Sequence, residues 1–304
     1  MLYSSEPFIS RDLFILYSDV VLIDSHDQKM VENLFKKAIT DKIGQNIIIF
    51  IKVELLDMYI PYLLALDSKF ILITTCCDDY CMPYYFFPPG DDVKILHDSL
   101  ISSHNLIHWF TQNPSIKHSK LTAIPIGPKW QYSSRSFFGE DKVNIINILY
   151  EYGLDDALKN FKSKKSELIY VNFSQTTYDP KFRAHRGMRE NVFDICKKNK
   201  FAISNPQSFE NYLANLKLHK FCISPPGMGI DTHRTWESLM CGTIPIMFAT
   251  PMDNIFEDLP VVIIDDWSII NEDFLNKKYE EIKSREYNFE KLYSPYWKNK
   301  IQMI

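Results

Sequence analysis

Short, unbroken runs of β-branched and aromatic residues, each followed by a polar or helix-forming stretch, limit this chain more than anything else in it. Ile47 to Val53 and Phe70 to Thr75 show no regular apolar–polar alternation. A strand with one wet face alternates and a strand buried on both faces does not, so these runs predict parallel strands covered by helices. Leu13 to Asp24, Leu106 to Gln112 and Lys120 to Ile126 read the same way, with Gln28 to Thr40 as one intervening helix. From Pro128 to Asp141 the text is rich in aromatics, serine and glycine without a period, and Val143 to Phe161 then reads as a helix. Strands resume at Glu167 to Phe173, Lys220 to Ser224, Thr243 to Phe248 and Val261 to Ile264. Alternating βα units in both halves predict an α/β protein of two Rossmann-like, doubly wound lobes, 1–140 and 141–304, with a cleft between them. The charged, helical stretch from Asn271 to Ile304 would pack back across the lobes.

The length of 304 residues suits two such lobes. With 46% hydrophobic and 24% charged residues the chain can bury a large core. A formal charge of −4 and no long Lys/Arg run exclude the electrostatic footprint of a nucleic-acid binder, so any bound phosphate must be held locally. Met1 to Arg11 lacks the basic start and apolar run of a signal peptide, and no apolar run approaches the length of a membrane span. The expectation is a cytoplasmic protein without a transmembrane segment. Six cysteines without paired CxxC spacing predict neither a zinc site nor a disulfide framework, but buried free thiols.

The chemistry concentrates in FCISPPGMGIDTHRTWESLMCGTIPIM, Phe221 to Met247, which reads as strand, glycine-containing loop, helix, tight turn and strand. Gly227 and Gly229 allow close approach of a ligand and dihedrals forbidden to other residues. A helix beginning near Ile230 or Asp231 would aim its free N–H groups at an anion. On that helix Arg234 and Glu237 are three apart and His233 and Glu237 four apart, so they share a face. An arginine fork suits phosphate oxygens, and an ionised carboxylate suits the hydroxyls of a ribose. The other reading of the same residues is a solvated helix pair beside an ordinary turn.

Ser224-Pro225-Pro226-Gly227-Met228-Gly229, Asp231-Thr232-His233-Arg234-Thr235-Trp236-Glu237 and Cys241-Gly242-Thr243-Ile244-Pro245-Ile246 together resemble the C-terminal signature of exostosin-like glycosyltransferases. That family includes xylosyltransferases of large DNA viruses. The resemblance implies the two-lobed GT-B fold, with Arg234 on the donor's diphosphate and Glu237 on its ribose. Ser224, Gly227, Gly229, Ile230, Asp231, Thr232 and His233 would complete the donor site. A looser likeness covers Tyr170-Val171-Asn172-Phe173-Ser174 with Arg183 and Arg186. Arg183 is the preferred second phosphate ligand, and Arg189, on the same helical register, is read as part of a solvated face.

In the first half, Asp78-Asp79-Tyr80 follows the strand Phe70 to Thr75, and ligands of parallel sheets gather at carboxyl strand ends. Inverting transfer needs a base for the acceptor hydroxyl, and Asp79 is the candidate. Either aspartate is equally suited to cap a helix. Asp78 stands where similar sequences have a serine. Asp78, Tyr80, Gln112 and Asn113 are the candidate acceptor contacts. No Asp-x-Asp pair occurs, so the expected scheme requires no metal and no cofactor beyond a UDP-sugar donor. The rival expectation is a nucleotide-sugar or glycan-binding protein without catalysis.

Overall fold

The computed structural model describes residues 7–75, 91–129, 140–175, 188–227 and 229–304. The chain forms two compact units, 11–125 with 297–304, and 1–10 with 126–296.

The unit of residues 11–125 contains α1 (Arg11–Leu16), β1 (Val20–Leu22), α2 (Gln28–Asp41), β2 (Ile47–Lys52), α3 (Leu56–Leu64), β3 (Phe70–Thr75), α4 (Asp91–Ser102), β4 (Leu106–Thr111) and β5 (Leu121–Ala123). Its five strands lie in the order β1-β2-β3-β4-β5, every pair parallel. Ile47, Ile49 and Ile51 of β2 pack with Leu72 and Trp109 beneath Val31 and Phe35 of α2, Leu56, Ile60 and Leu63 of α3, and Leu100 of α4. The alternate residues Ile48, Phe50, Ile71, Ile73 and Phe110 are buried on the opposite face. His108 lies on that face, hydrogen-bonded to Thr122 Oγ1 at 2.7 Å. Burial, aided by the charge of Lys300, pushes its imidazole down to about 4. Double-sided burial is the reason these strands do not alternate.

Two details depart from expectation. The described strands of this sheet run in sequence without a reversal, and α2, α3 and α4 share one face, so here the winding is single rather than double. The stretch Leu13 to Asp24 is helix and then a three-residue strand. Ser18 turns its hydroxyl back onto Phe14 O, and Asp19 accepts the Ile48 N–H at 2.9 Å, which ends α1 and sets the register of β1.

The unit of residues 126–296 contains α5 (Glu140–Glu151), α6 (Ala157–Lys162), β6 (Glu167–Tyr170), α7 (Met188–Lys198), α8 (Phe209–Leu218), β7 (His219–Ile223), α9 (His233–Met240), β8 (Ile244–Phe248), β9 (Val262–Ile264), α10 (Glu272–Lys283) and the start of α11 (Ser294–Gln302). The helix expected over Val143 to Phe161 is two helices. Gly153, at φ 63°, breaks it, and Asp156 caps α6 through Lys159 N. Four parallel strands run β6-β7-β8-β9. Because β7 flanks β6 on one side, the single parallel bridge of Val171 to Ile203 falls on the other. The chain therefore touches one edge of β6 at Ile203 and returns to form β7 on the other edge, so its direction across the four-stranded sheet reverses between β6 and β7. Residues 7–10 belong to this unit: Phe8 bridges Tyr293 and meets Tyr150 edge-on at 5.0 Å, and Pro7 O accepts Ser294 N–H. Among the described residues no helix is long and apolar enough to cross a membrane.

Cys196, Cys222 and Cys241 are buried free thiols. Burial pushes Cys196 and Cys241 up to about 12 and raises Cys222. Above pH 9 the unfolded chain loses thiol protons that the folded chain keeps, so each thiol removes about 1.4 kcal/mol of stability per pH unit. Lys165 opposes this. Burial lowers its ammonium to about 8, so it destabilises the fold below that pH and ceases to do so as pH rises toward 10.5. Urea melts are expected to show stability level or slightly rising from pH 8 to 9 and falling steeply from 9 to 11. A Cys196→Val variant should fall less steeply; an equal slope would place the alkaline loss elsewhere.

Candidate functional site

The carboxyl ends of β6 and β7 diverge at the reversal of strand order, the place where open parallel sheets bind ligands. Tyr170 and Val171 lead from β6 toward Ser174, and Ile223 and Ser224 lead from β7 into Pro225-Pro226-Gly227. Gly227 N donates to Gly229 O at 2.9 Å, which closes the loop on itself. Gly227 does not use left-handed backbone. An added Cβ would lie in van der Waals contact with Arg189 Nη2, at 3.4 Å.

The following helix, α9, starts at His233, two or three residues later than the sequence suggests. Its N-cap is Thr232, whose side chain makes no capping bond. The hydroxyl is engaged in a triangle instead, with Ser224 Oγ 3.1 Å away, Thr235 Oγ1 3.2 Å away, and Ser224 and Thr235 2.8 Å apart. Each hydroxyl has one proton to give, and a closed triangle uses all three. The first N–H groups of α9 are thereby left without a side-chain acceptor, so they can meet an anion at the positive end of the helix.

Three charged or polar residues of the Asp-x-His-Arg-x-x-Glu segment face protein. Asp231 accepts Ile126 N at 2.8 Å and Trp236 Nε1 at 2.8 and 3.0 Å. His233 Nδ1 donates to Gly127 O at 2.8 Å. Glu237 accepts Lys129 N at 2.9 Å and the Tyr212 hydroxyl at 2.9 Å. Successive polar side chains of the segment thus hold successive backbone groups of Ile126 to Lys129. Gly127, at φ 73°, also packs tightly on Ile9: a Cβ there would sit 2.5 Å from Ile9 O.

Arg234 is different. Its guanidinium stacks over Tyr212, 5.4 Å from the ring centroid, and its buried Nη1 has no hydrogen-bond partner among the described residues. Burial opposes its charge, but Tyr212, Cys222 and Glu237 outweigh that effect and raise it above the ordinary arginine value. The same surroundings act on Tyr212, whose phenol is raised first by burial and then by the Glu237 charge. The group is a cation with an unmet donor in dehydrated surroundings. An unmet buried donor of this kind costs on the order of 1–3 kcal/mol until an acceptor arrives.

Arg189 also belongs here and is no solvated face. Nε donates to Pro226 O at 2.8 Å, Nη1 to Ser174 O at 3.0 Å and Nη2 to Pro225 O at 3.4 Å, while its Cζ lies 5.8 Å from the Phe173 centroid. Neither Arg189 nor Tyr212 carries a sequence signal, since the fold alone brings α7 and α8 to this turn. Of the expected donor residues, Ser224 and Thr232 share the hydroxyl triangle and Arg234 faces Tyr212, while Asp231, His233 and Glu237 hold backbone; Gly227, Gly229 and Ile230 lie on the loop between β7 and α9. Arg183, with Arg186, lies outside the described residues.

In the other unit, Gln112 and Asn113 follow β4 and are buried, Asn113 with left-handed backbone at φ 48°. Gln112 N donates to Thr74 O at the end of β3. Asp78, Asp79 and Tyr80 lie outside the described residues. Among the described residues no cluster of three or more His, Cys, Asp or Glu could hold a metal ion. No family model matches the chain, and no curated protein matches it significantly.

Proposed function

We propose that this protein is an inverting, metal-independent glycosyltransferase of GT-B type, moving a sugar from a UDP-sugar to a carbohydrate hydroxyl. Xylose is the proposed sugar, by resemblance. The donor site is assigned to the unit of residues 126–296 and the acceptor contacts to the unit of residues 11–125. The observation that carries the reading is Arg234, a half-buried cation whose Nη1 is buried and has no hydrogen-bond partner among the described residues, at the uncapped start of α9. Cleavage of the donor places growing negative charge on the leaving diphosphate. A preorganised guanidinium and helix N–H groups stabilise that charge as it develops. Glu237 is proposed to accept from the ribose hydroxyls with lone pairs left over from Lys129 and Tyr212. Asp79 is the proposed base.

Calorimetric titration of EDTA-treated protein with UDP, GDP and a panel of UDP-sugars tests the donor site. Arg234→Ala should weaken UDP binding roughly 100-fold, the loss of about two charge-assisted hydrogen bonds. Absence of nucleotide binding in the wild type, or equal binding by the variant, would overturn the reading. Turnover lost in Asp79→Asn with UDP affinity kept would identify the base, whereas a protein with donor affinity and no turnover in either form is a binder.

A further inference from the structure

The diphosphate reading leaves one side chain at the turn unaccounted for. Arg189 spans the two loops that diverge at the order reversal, through Ser174 O on one side and Pro225 O and Pro226 O on the other. A guanidinium has five N–H donors, and three are engaged. Among the described residues no carboxylate forms an ion pair with it, although it is half-buried. Burial, and after it the charge of Arg234, lower it to about 10. Two mutually repelling cations at one turn, with no carboxylate among the described residues on the first, are costly unless a multiply charged anion joins them. Gly227 lies directly beside Nη2, where even a Cβ would be in contact with it at 3.4 Å.

We infer that Arg189 is the second cation of the anion site, so that the site selects a diphosphate over a monophosphate by holding one phosphate from Arg234 and the other from Arg189. This rests on the donor reading given above. Arg189 is thus a specificity-determining residue as well as a brace between loops. The three backbone carbonyls fix its plane, which lowers the ordering cost of using the remaining N–H groups.

The test compares UDP and UMP by calorimetry on wild-type protein, Arg189→Gln, Arg189→Lys and Arg234→Ala, with the melting temperature of each. Glutamine keeps donors for the carbonyls but removes the charge; lysine keeps the charge. Arg189→Gln is expected to lose about tenfold or more in UDP affinity while UMP affinity changes less than about twofold, one charge-assisted contact being removed. Arg189→Lys should retain most of the preference for UDP. A wild type that binds neither nucleotide overturns the donor reading and this inference with it. UDP binding that is lost in Arg234→Ala and untouched in Arg189→Gln leaves the donor reading standing and overturns this inference alone. Equal losses of UDP and UMP in both Arg189 variants, accompanied by lower melting temperatures, would reduce Arg189 to a brace.

Discussion

Replacing Gly242 by alanine is expected to destabilise this protein by at least about 3 kcal/mol, the sum of left-handed strain and overpacking. Gly242 follows α9 at φ 70°, and its N–H closes the last turn onto Leu239 O. A Cβ there would lie 2.2 Å from Asn160 C, 2.3 Å from Asn160 O and 2.3 Å from Phe161 N. All three are backbone atoms of α6, so no rotamer change relieves the clash. Asn160 also cannot retreat, because its amide donates to Gly153 O at 2.6 Å and to Met240 O at 2.8 Å. For a chain of this size the melting temperature should fall by about 5 °C or more. A change of under about 2 °C would mean that α6 can move away from the end of α9 at little cost.

Asp231→Ala is expected to cost about 2 to 5 kcal/mol, because it leaves the half-buried Ile126 N–H and the buried Trp236 Nε1–H without an acceptor. Trp236 is fully buried against Phe256, with ring centroids 5.3 Å apart, so water is poorly placed to replace the carboxylate. Chemical denaturation measures the loss directly. Asp231→Asn, which keeps one acceptor, should recover part of it. Unchanged stability with weakened UDP binding would instead make Asp231 a donor ligand and not a brace.

The parallel strands were legible because Ile47 to Ile51 and Phe70 to Thr75 lack polar alternation, which only double-sided burial allows. The order of the strands was not legible: nothing in the spacing of the runs says that Ile203 joins β6 on the side away from β7. The turn at Pro225 to Glu237 could be found from its glycines and its helical Arg–Glu spacing. Its internal partners could not, since the groups held by Asp231, His233 and Glu237 are backbone atoms of Ile126, Gly127 and Lys129, which have no side-chain signature. Arg189 was misread for a related reason. A three-residue spacing of arginines describes a helix face and is silent about which carbonyls that face meets.

The grouping of residues 7–10 with the later sheet and residues 297–304 with the earlier one bears on biosynthesis. During elongation the sheet of residues 11–125 emerges first but waits for Trp297 and Ile301, both buried, to complete its unit. The second unit recruits Phe8 and Ile9, which must stay available while the intervening chain is made. Contacts of such separation are slow to form and lengthen the time that apolar surface is uncovered. Fragments cut at residue 125 would therefore both be incomplete, and recombinant yield should depend on chaperone capacity late in translation rather than early.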